Sequence, residues 1–253
     1  MQPVFGINND MIFHNRIITI HAVSDGTYKP ERLERFIKTV RLLGYKFVSV
    51  KELMASTKNR GQIALTFDDC YQSTFTNAVP ILKRCKVPAL MFIPTGLLGY
   101  PANHPVLIKH ECYKDEATMT TEEVNQWINE GFGIGFHTHE HIDLYNTSDD
   151  RIIDDFKKGV EEMRERGWNT PFFAYPKGFL PQNRPLFERL LRQNRFTYAF
   201  TINHGDLNID QPFYINRICL GNKEPFLWGL MKTLGFIGDL YFRKKKQRIQ
   251  QVI

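Results

Sequence analysis

Cysteine is scarce in this chain: four residues in 253 (Cys70, Cys85, Cys112 and Cys219), widely spaced and without a CxxC pair. Disulfide-stapled domains are denser in cysteine than this, so the cysteines read as mostly reduced thiols. No run of 18 apolar residues occurs, which leaves no helix able to span a bilayer. The first fifteen residues lack an apolar stretch and carry Asn8, Asn9, Asp10 and His14 instead, so a secretory signal is not expected there. Glycine (17) and proline (13) are at ordinary levels, against a collagenous or low-complexity chain. No internal repeat and no Ser/Gly linker interrupts the sequence. A chain this long buries roughly three-quarters of its unfolded surface and can hold its core without disulfides or a structural metal.

Positive charge is unevenly placed. The formal net charge is +6, but Arg243, Lys244, Lys245, Lys246 and Arg248 supply five of those charges within the last eleven residues. The remainder is close to neutral, so nucleic acid is not an expected partner.

What is present is an alternation. β-rich segments at 16–23, 45–50, 62–67, 89–93, 131–136, 172–175, 198–201 and 214–220 are separated by stretches with helical spacing. Between residues 30 and 43, Leu33, Phe36, Ile37, Val40 and Leu43 recur on one helical face, and Gly44 closes the helix. Thr120 and Glu123 form a capping box before Trp127 and Ile128, and a longer helix is expected over 149–166. The expected fold is α/β: a distorted (β/α) barrel of about seven parallel strands in one domain, over 16–221. Residues 222–253 form an amphipathic and basic C-terminal extension.

Chemistry in such barrels collects where strands end. His21, the pair Asp68-Asp69, and His137 all stand at such ends. Adjacent carboxylates after a strand point in different directions, so one can face a metal while the other faces substrate. By itself an Asp-Asp pair is more often a helix cap or a solvated turn. The run His137-Thr138-His139-Glu140-His141 is rarer. Its histidines offer either His137 with His141, on one side of a helical turn, or His137 with His139, as in an HxH metal hydrolase. Two imidazoles and a carboxylate suit zinc or a similar divalent ion, which lowers the pKa of bound water toward roughly 7.

These residues resemble the polysaccharide deacetylase superfamily, the NodB-homology domain of carbohydrate esterase family 4. Thr66-Phe67-Asp68-Asp69 matches its TFDDG motif and departs at Cys70. His137, Thr138 and His141 match H(S/T)xxH, and Phe173-Ala174-Tyr175-Pro176-Lys177-Gly178 is similar to its third motif. The resemblance runs over roughly residues 16–220. It implies metal-dependent removal of acetyl groups, N-acetyl foremost, from an amino-sugar-containing glycan or lipid-linked saccharide precursor. Asp69, His137 and His141 would be the ligands of one divalent ion, zinc first, with nickel, cobalt, iron or manganese as other choices. Asp68 would be the catalytic base. The backbone N–H of Lys177 would meet the oxyanion, with Tyr175 and Arg217 beside substrate.

The departures carry expectations of their own. Cys70 replaces a glycine, so a left-handed backbone there would store strain of order 1–3 kcal/mol. The family's motif-three arginine corresponds to Ala174, and Arg217 is a candidate to steady the base instead. The late LxH motif that supplies the acid is absent, and His21, at the end of the first strand, is the candidate replacement; its bland alternative is a core histidine. A degenerate, non-catalytic carbohydrate-binding barrel is the rival reading of the same departures. For residues 226–248, aromatics followed by basic residues suggest a cytoplasmic protein resting on the inner face of a membrane. The plainer alternative is a helix packed on the barrel wall with a solvated tail.

Overall fold

The computed structural model describes residues 14–56, 61–108, 115–221 and 224–237. The first thirteen residues, Cys112 and the basic cluster at 243–248 lie outside the described residues. The elements are β1 (Arg16–Ile20), α1 (Pro30–Leu42), β2 (Lys46–Phe47), α2 (Val50–Ala55), β3 (Gln62–Asp68), α3 (Val79–Cys85), β4 (Ala89–Ile93), α4 (Pro105–Ile108), α5 (Thr121–Asn129), β5 (Gly133–Phe136), α6 (Asp149–Glu165), β6 (Phe172–Ala174), α7 (Arg184–Gln193), β7 (Tyr198–Phe200), β8 (Ile218–Cys219) and α8 (Phe226–Leu234).

Seven parallel strands follow one another in the order β7-β6-β5-β4-β3-β1-β8, while β2 pairs with the start of β3. A bridge from Phe200 to Ile215 brings the two ends of the sheet together, with Thr201 N–H donating to the Ile215 carbonyl at 2.8 Å. The sheet therefore curls into the distorted (β/α) barrel expected. Parallel pairing puts every strand's C-terminal end on one rim, and that rim carries the site.

Both faces of the curl are buried, as parallel strands require. Ile18, Ile20, Ile63, Leu65, Phe67, Met91, Ile93, Ile134, Phe136 and Phe173 pack outward under the helices. Ile17, Ala64, Leu90, Phe92, Phe172, Ala174, Phe200 and Ile215 fill the interior. On β3 this alternation is Ala64, Thr66 and Asp68 inward, against Ile63, Leu65 and Phe67 outward. The interior is a packed core.

The segment expected as a strand over 45–50 is mostly something else. β2 is two residues long, and α2 follows at once, opened by a reciprocal capping box between Ser49 and Glu52. Val50, Leu53 and Met54 of α2 join the interior cluster and plug the barrel from its N-terminal end.

α8 packs on the barrel beside α1. Lys232 is buried, with its ammonium donating to the Cys219 carbonyl at 2.7 Å and pairing with Glu224 at 2.6 Å. Arg16 reaches the carbonyl of Thr233, and Arg35 lies over the Phe226 ring at 4.2 Å. Leu227 and Phe236 face outward, 63% and 64% exposed. Among the described residues no helix is long and apolar enough to cross a membrane.

Candidate active site

The rim gathers the sequence-marked residues from four strands. β3 ends at Asp68, whose side chain continues the inward set, and the chain then turns through two left-handed residues, Asp69 (φ 75°) and Cys70 (φ 56°). Cys70 thus holds the left-handed backbone that glycine adopts readily, at a cost of order 1–3 kcal/mol. Its thiol is buried and burial pushes its pKa well above the usual range; its carbonyl accepts from Met119 N–H at 2.8 Å.

The turn swings the Asp69 carboxylate toward the loop after β5. Its Oδ1 stands 3.3 Å from His137 Nε2 and 3.1 Å from His141 Nε2, and all three residues are buried. His137 Nδ1 lies 2.8 Å from the Ala174 carbonyl. A carbonyl only accepts, so Nδ1 carries a proton, and Nε2 is the nitrogen left to face an ion. Donor atoms held 2.0–2.1 Å from a tetrahedral ion lie about 3.3 Å from one another. Spacing, donor set and tautomer all fit one divalent ion of the zinc kind. Burial would raise the Asp69 carboxyl, but His141 and His137, with His21 beyond them, outweigh it and hold its pKa well below the carboxylate range.

The HxH alternative is corrected. His139 turns away from this group: its Nδ1 meets Thr95 Oγ1 at 2.9 Å and lies 3.6 Å from Glu162. Among the described residues, the group whose donor atoms lie close enough together to hold a metal ion is Asp69, His137 and His141.

Asp68 is held from below. Arg217 precedes β8, and the register Ile18 to Ile218 sets it level with Ile17, about three residues under the rim. Its side chain climbs the interior and donates to Asp68 through two parallel bonds of 2.7 Å. On the way it touches the hydroxyls of Thr19 and Thr66, gives Nε–H to the Thr201 carbonyl, and lies 4.9 Å from the Phe92 ring centre. Burial pushes the Asp68 carboxyl up, and the Arg217 charge, followed by His137, more than reverses it, so Asp68 is an anion below its ordinary pKa. Arg217 is 0% exposed. Its place beside substrate is therefore corrected: it meets Asp68, and no part of it is exposed to solvent.

Tyr175 is corrected in the same way. Inward and outward positions alternate on β6, so Ala174 faces the interior and Tyr175 faces the helices. Its hydroxyl donates to the Phe213 carbonyl at 2.9 Å and its ring stacks on Tyr214, which anchors the third-motif loop. Lys177 follows in the left-handed region (φ 56°, ψ 5°) with an exposed side chain.

His21 stands at the mouth, its Nε2 3.9 Å from the other oxygen of Asp69 and its side chain 39% exposed. Burial of its ring lowers the pKa, but the hydrogen bond and attraction of the Cys219 side chain, then Asp69 and Asp68, push it up to about 10. One residue beside Arg217, Thr19, was not singled out by sequence reasoning, whereas Thr66 belongs to the first motif. Thr19 and Thr66 line the path of Arg217, and strand parity alone marks both as inward.

A family model for polysaccharide deacetylases matches residues 55–198. The chain belongs to the polysaccharide deacetylase family. Poly-beta-1,6-N-acetyl-D-glucosamine N-deacetylase of Staphylococcus epidermidis is 24% identical over 217 residues, covering 80% of this chain and 69% of that protein. Its Staphylococcus aureus counterpart is 25% identical over 238 residues, covering 85% and 74%. The solved structure of IcaB from Ammonifex degensii superimposes with a TM-score of 0.71 at 20% identity, over 88% of this chain and 97% of that one. With family and fold in hand, this deacetylase is a carbohydrate-modifying hydrolase.

Proposed function

We propose that this deacetylase removes N-acetyl groups from a polymer or oligomer of β-linked N-acetylglucosamine by metal-assisted hydrolysis. The observation that carries the reading is the division of labour between Asp68 and Asp69. One carboxylate is clamped by Arg217 and the other is turned onto two imidazoles. A binding module would need neither. The two staphylococcal relatives named for poly-beta-1,6-N-acetyl-D-glucosamine support the substrate class.

Asp69, His137 and His141 would hold the ion, which supplies Lewis acidity and an acidified water. Asp68 accepts the proton of the attacking water as the new C–O bond forms at the acetyl carbon. Arg217 keeps that carboxylate oriented and ionised. The N–H of Lys177 is available to the oxygen of the tetrahedral intermediate. His21, protonated and open to solvent, gives its proton to the departing nitrogen as the C–N bond breaks. Acetate and a free amino sugar leave.

The test is release of acetate from β-1,6- and β-1,4-linked N-acetylglucosamine oligomers and from an O-acetylated sugar. Acetate from the β-1,6 oligomers, matched mole for mole by new primary amine, is the expected result. Acetate from the O-acetylated sugar alone would overturn the N-acetyl reading.

A further inference from the structure

The loop carrying two of the three metal-site residues is itself under constraint. Thr138 (φ 64°) and His141 (φ 52°) both hold left-handed backbone, each at a cost of order 1–3 kcal/mol. Such a loop keeps its shape only if its surroundings fix it. Part of that support is backbone: Thr95 and Gly96 donate to the carbonyls of Thr138 and His139 at 3.3 and 2.8 Å. Further support comes from one face of α6. Asp155, 0% exposed, accepts His139 N–H on one oxygen and Glu140 N–H on the other, both at 2.9 Å. One turn on, Gly159 leaves room that the loop uses: an added Cβ would meet Phe136 at 2.6 Å and His139 Cβ at 3.2 Å. Two turns on, Glu162 lies 3.6 Å from the His139 ring. Asp155, Gly159 and Glu162 recur at i, i+4 and i+7, the spacing of a single helical stripe.

We propose that Asp155 is the positioning residue that sets the metal affinity of the site, its buried carboxylate fixing the two peptides between the imidazoles of His137 and His141. Asp155 touches neither the ligand atoms nor any substrate; it acts through the backbone of 139 and 140. The inference rests on the reading of Asp69, His137 and His141 as a metal site. Groups that orient metal ligands typically govern 10–100-fold of affinity. Asn offers one acceptor where Asp offers two, so one N–H of the pair loses its partner.

The experiment is zinc titration of the chelator-stripped full chain, with thermal unfolding of each metal-free variant alongside. Asp155→Asn is expected to bind zinc about 10–100-fold more weakly than wild type. Gly159→Ala, which crowds the same loop without touching the carboxylate, is expected to weaken zinc in the same direction. Ile152→Val, a buried change elsewhere on α6, is expected to lower the unfolding temperature and leave zinc affinity unchanged. Wild-type affinity in Asp155→Asn, whatever its unfolding temperature, overturns the proposal. Should Asp155→Asn not fold, wild-type affinity in Gly159→Ala overturns it. Failure of wild type to bind zinc, nickel, cobalt, manganese or iron overturns the metal reading first and this inference with it.

Discussion

At the scale of single residues, Asp68 and Arg217 are one unit. The sequence marked Asp68 through its motif and offered Arg217 as a candidate to steady it, although the two stand 149 positions apart. Only the register of β8 on β1 puts the guanidinium beneath the carboxylate. Two predictions belong here. Asp68→Asn keeps the metal ligands and removes the proton acceptor, so turnover is expected to fall roughly 10²–10⁴-fold with metal content unchanged, as measured by acetate release and metal analysis. Wild-type turnover would take Asp68 out of the role. Arg217→Met leaves a buried carboxylate without its partner, and a loss of about 3–5 kcal/mol is expected in denaturant unfolding; a loss under about 1 kcal/mol would mean that Asp68 is solvated in some other way.

His21 makes a residue-scale prediction with a sign. Its working form carries the proton, and its neighbours raise its pKa to about 10, so it stays protonated through neutral pH. A dication on Asp69 offsets part of that push, which places the fall in turnover on the alkaline side, below about 10. Turnover is expected to decline on that alkaline side in wild type, and His21→Ala is expected to lose the alkaline limb of kcat/KM together with most of its rate. An unchanged limb would assign it to another group.

At the scale of elements, the inward and outward alternation of the strands does most of the sorting. It puts Asp68, His21 and His137 inside and turns Tyr175 outward, so the Tyr175 side chain anchors the third-motif loop through the Phe213 carbonyl; a motif match alone does not carry that parity. The α2 plug was legible in Ser49-x-x-Glu52, but the β-rich reading of 45–50 ran over it, because Val48 and Val50 suit either element. Packing across strands sets a test of the interior. A Cβ at Gly135 would lie 2.4 Å from the Phe92 ring and 3.2 Å from the Phe172 carbonyl. Gly135→Ala is expected to lower stability by about 1–3 kcal/mol, and Phe92→Leu in the same chain to recover part of it. Additive losses in unfolding measurements would mean that the two positions do not compete for space.

At the scale of the whole molecule, strands, helices and the rim were legible because parallel barrels write their order as alternating apolar runs. The closing of the curl was not, since it rests on a two-residue β8 and one bridge at Ile215, too short to leave a pattern. The choice between His139 and His141 was open on spacing alone, and the motif resemblance is what pointed to His141. Both fit a spacing rule, and α6 and Thr95 decide it by drawing the His139 ring away. The account stands on the claim that Asp69, His137 and His141 form the metal centre on which deacetylation depends. The most direct measurement counts metal ions per chain and acetate released from β-1,6-linked N-acetylglucosamine oligomers, in wild type, Asp69→Ala and His141→Ala, before and after chelation. One divalent ion per wild-type chain is predicted, lost in both variants, with acetate release vanishing in step and returning to wild type alone when zinc is restored. Acetate release that persists in Asp69→Ala or survives complete removal of metal would contradict it.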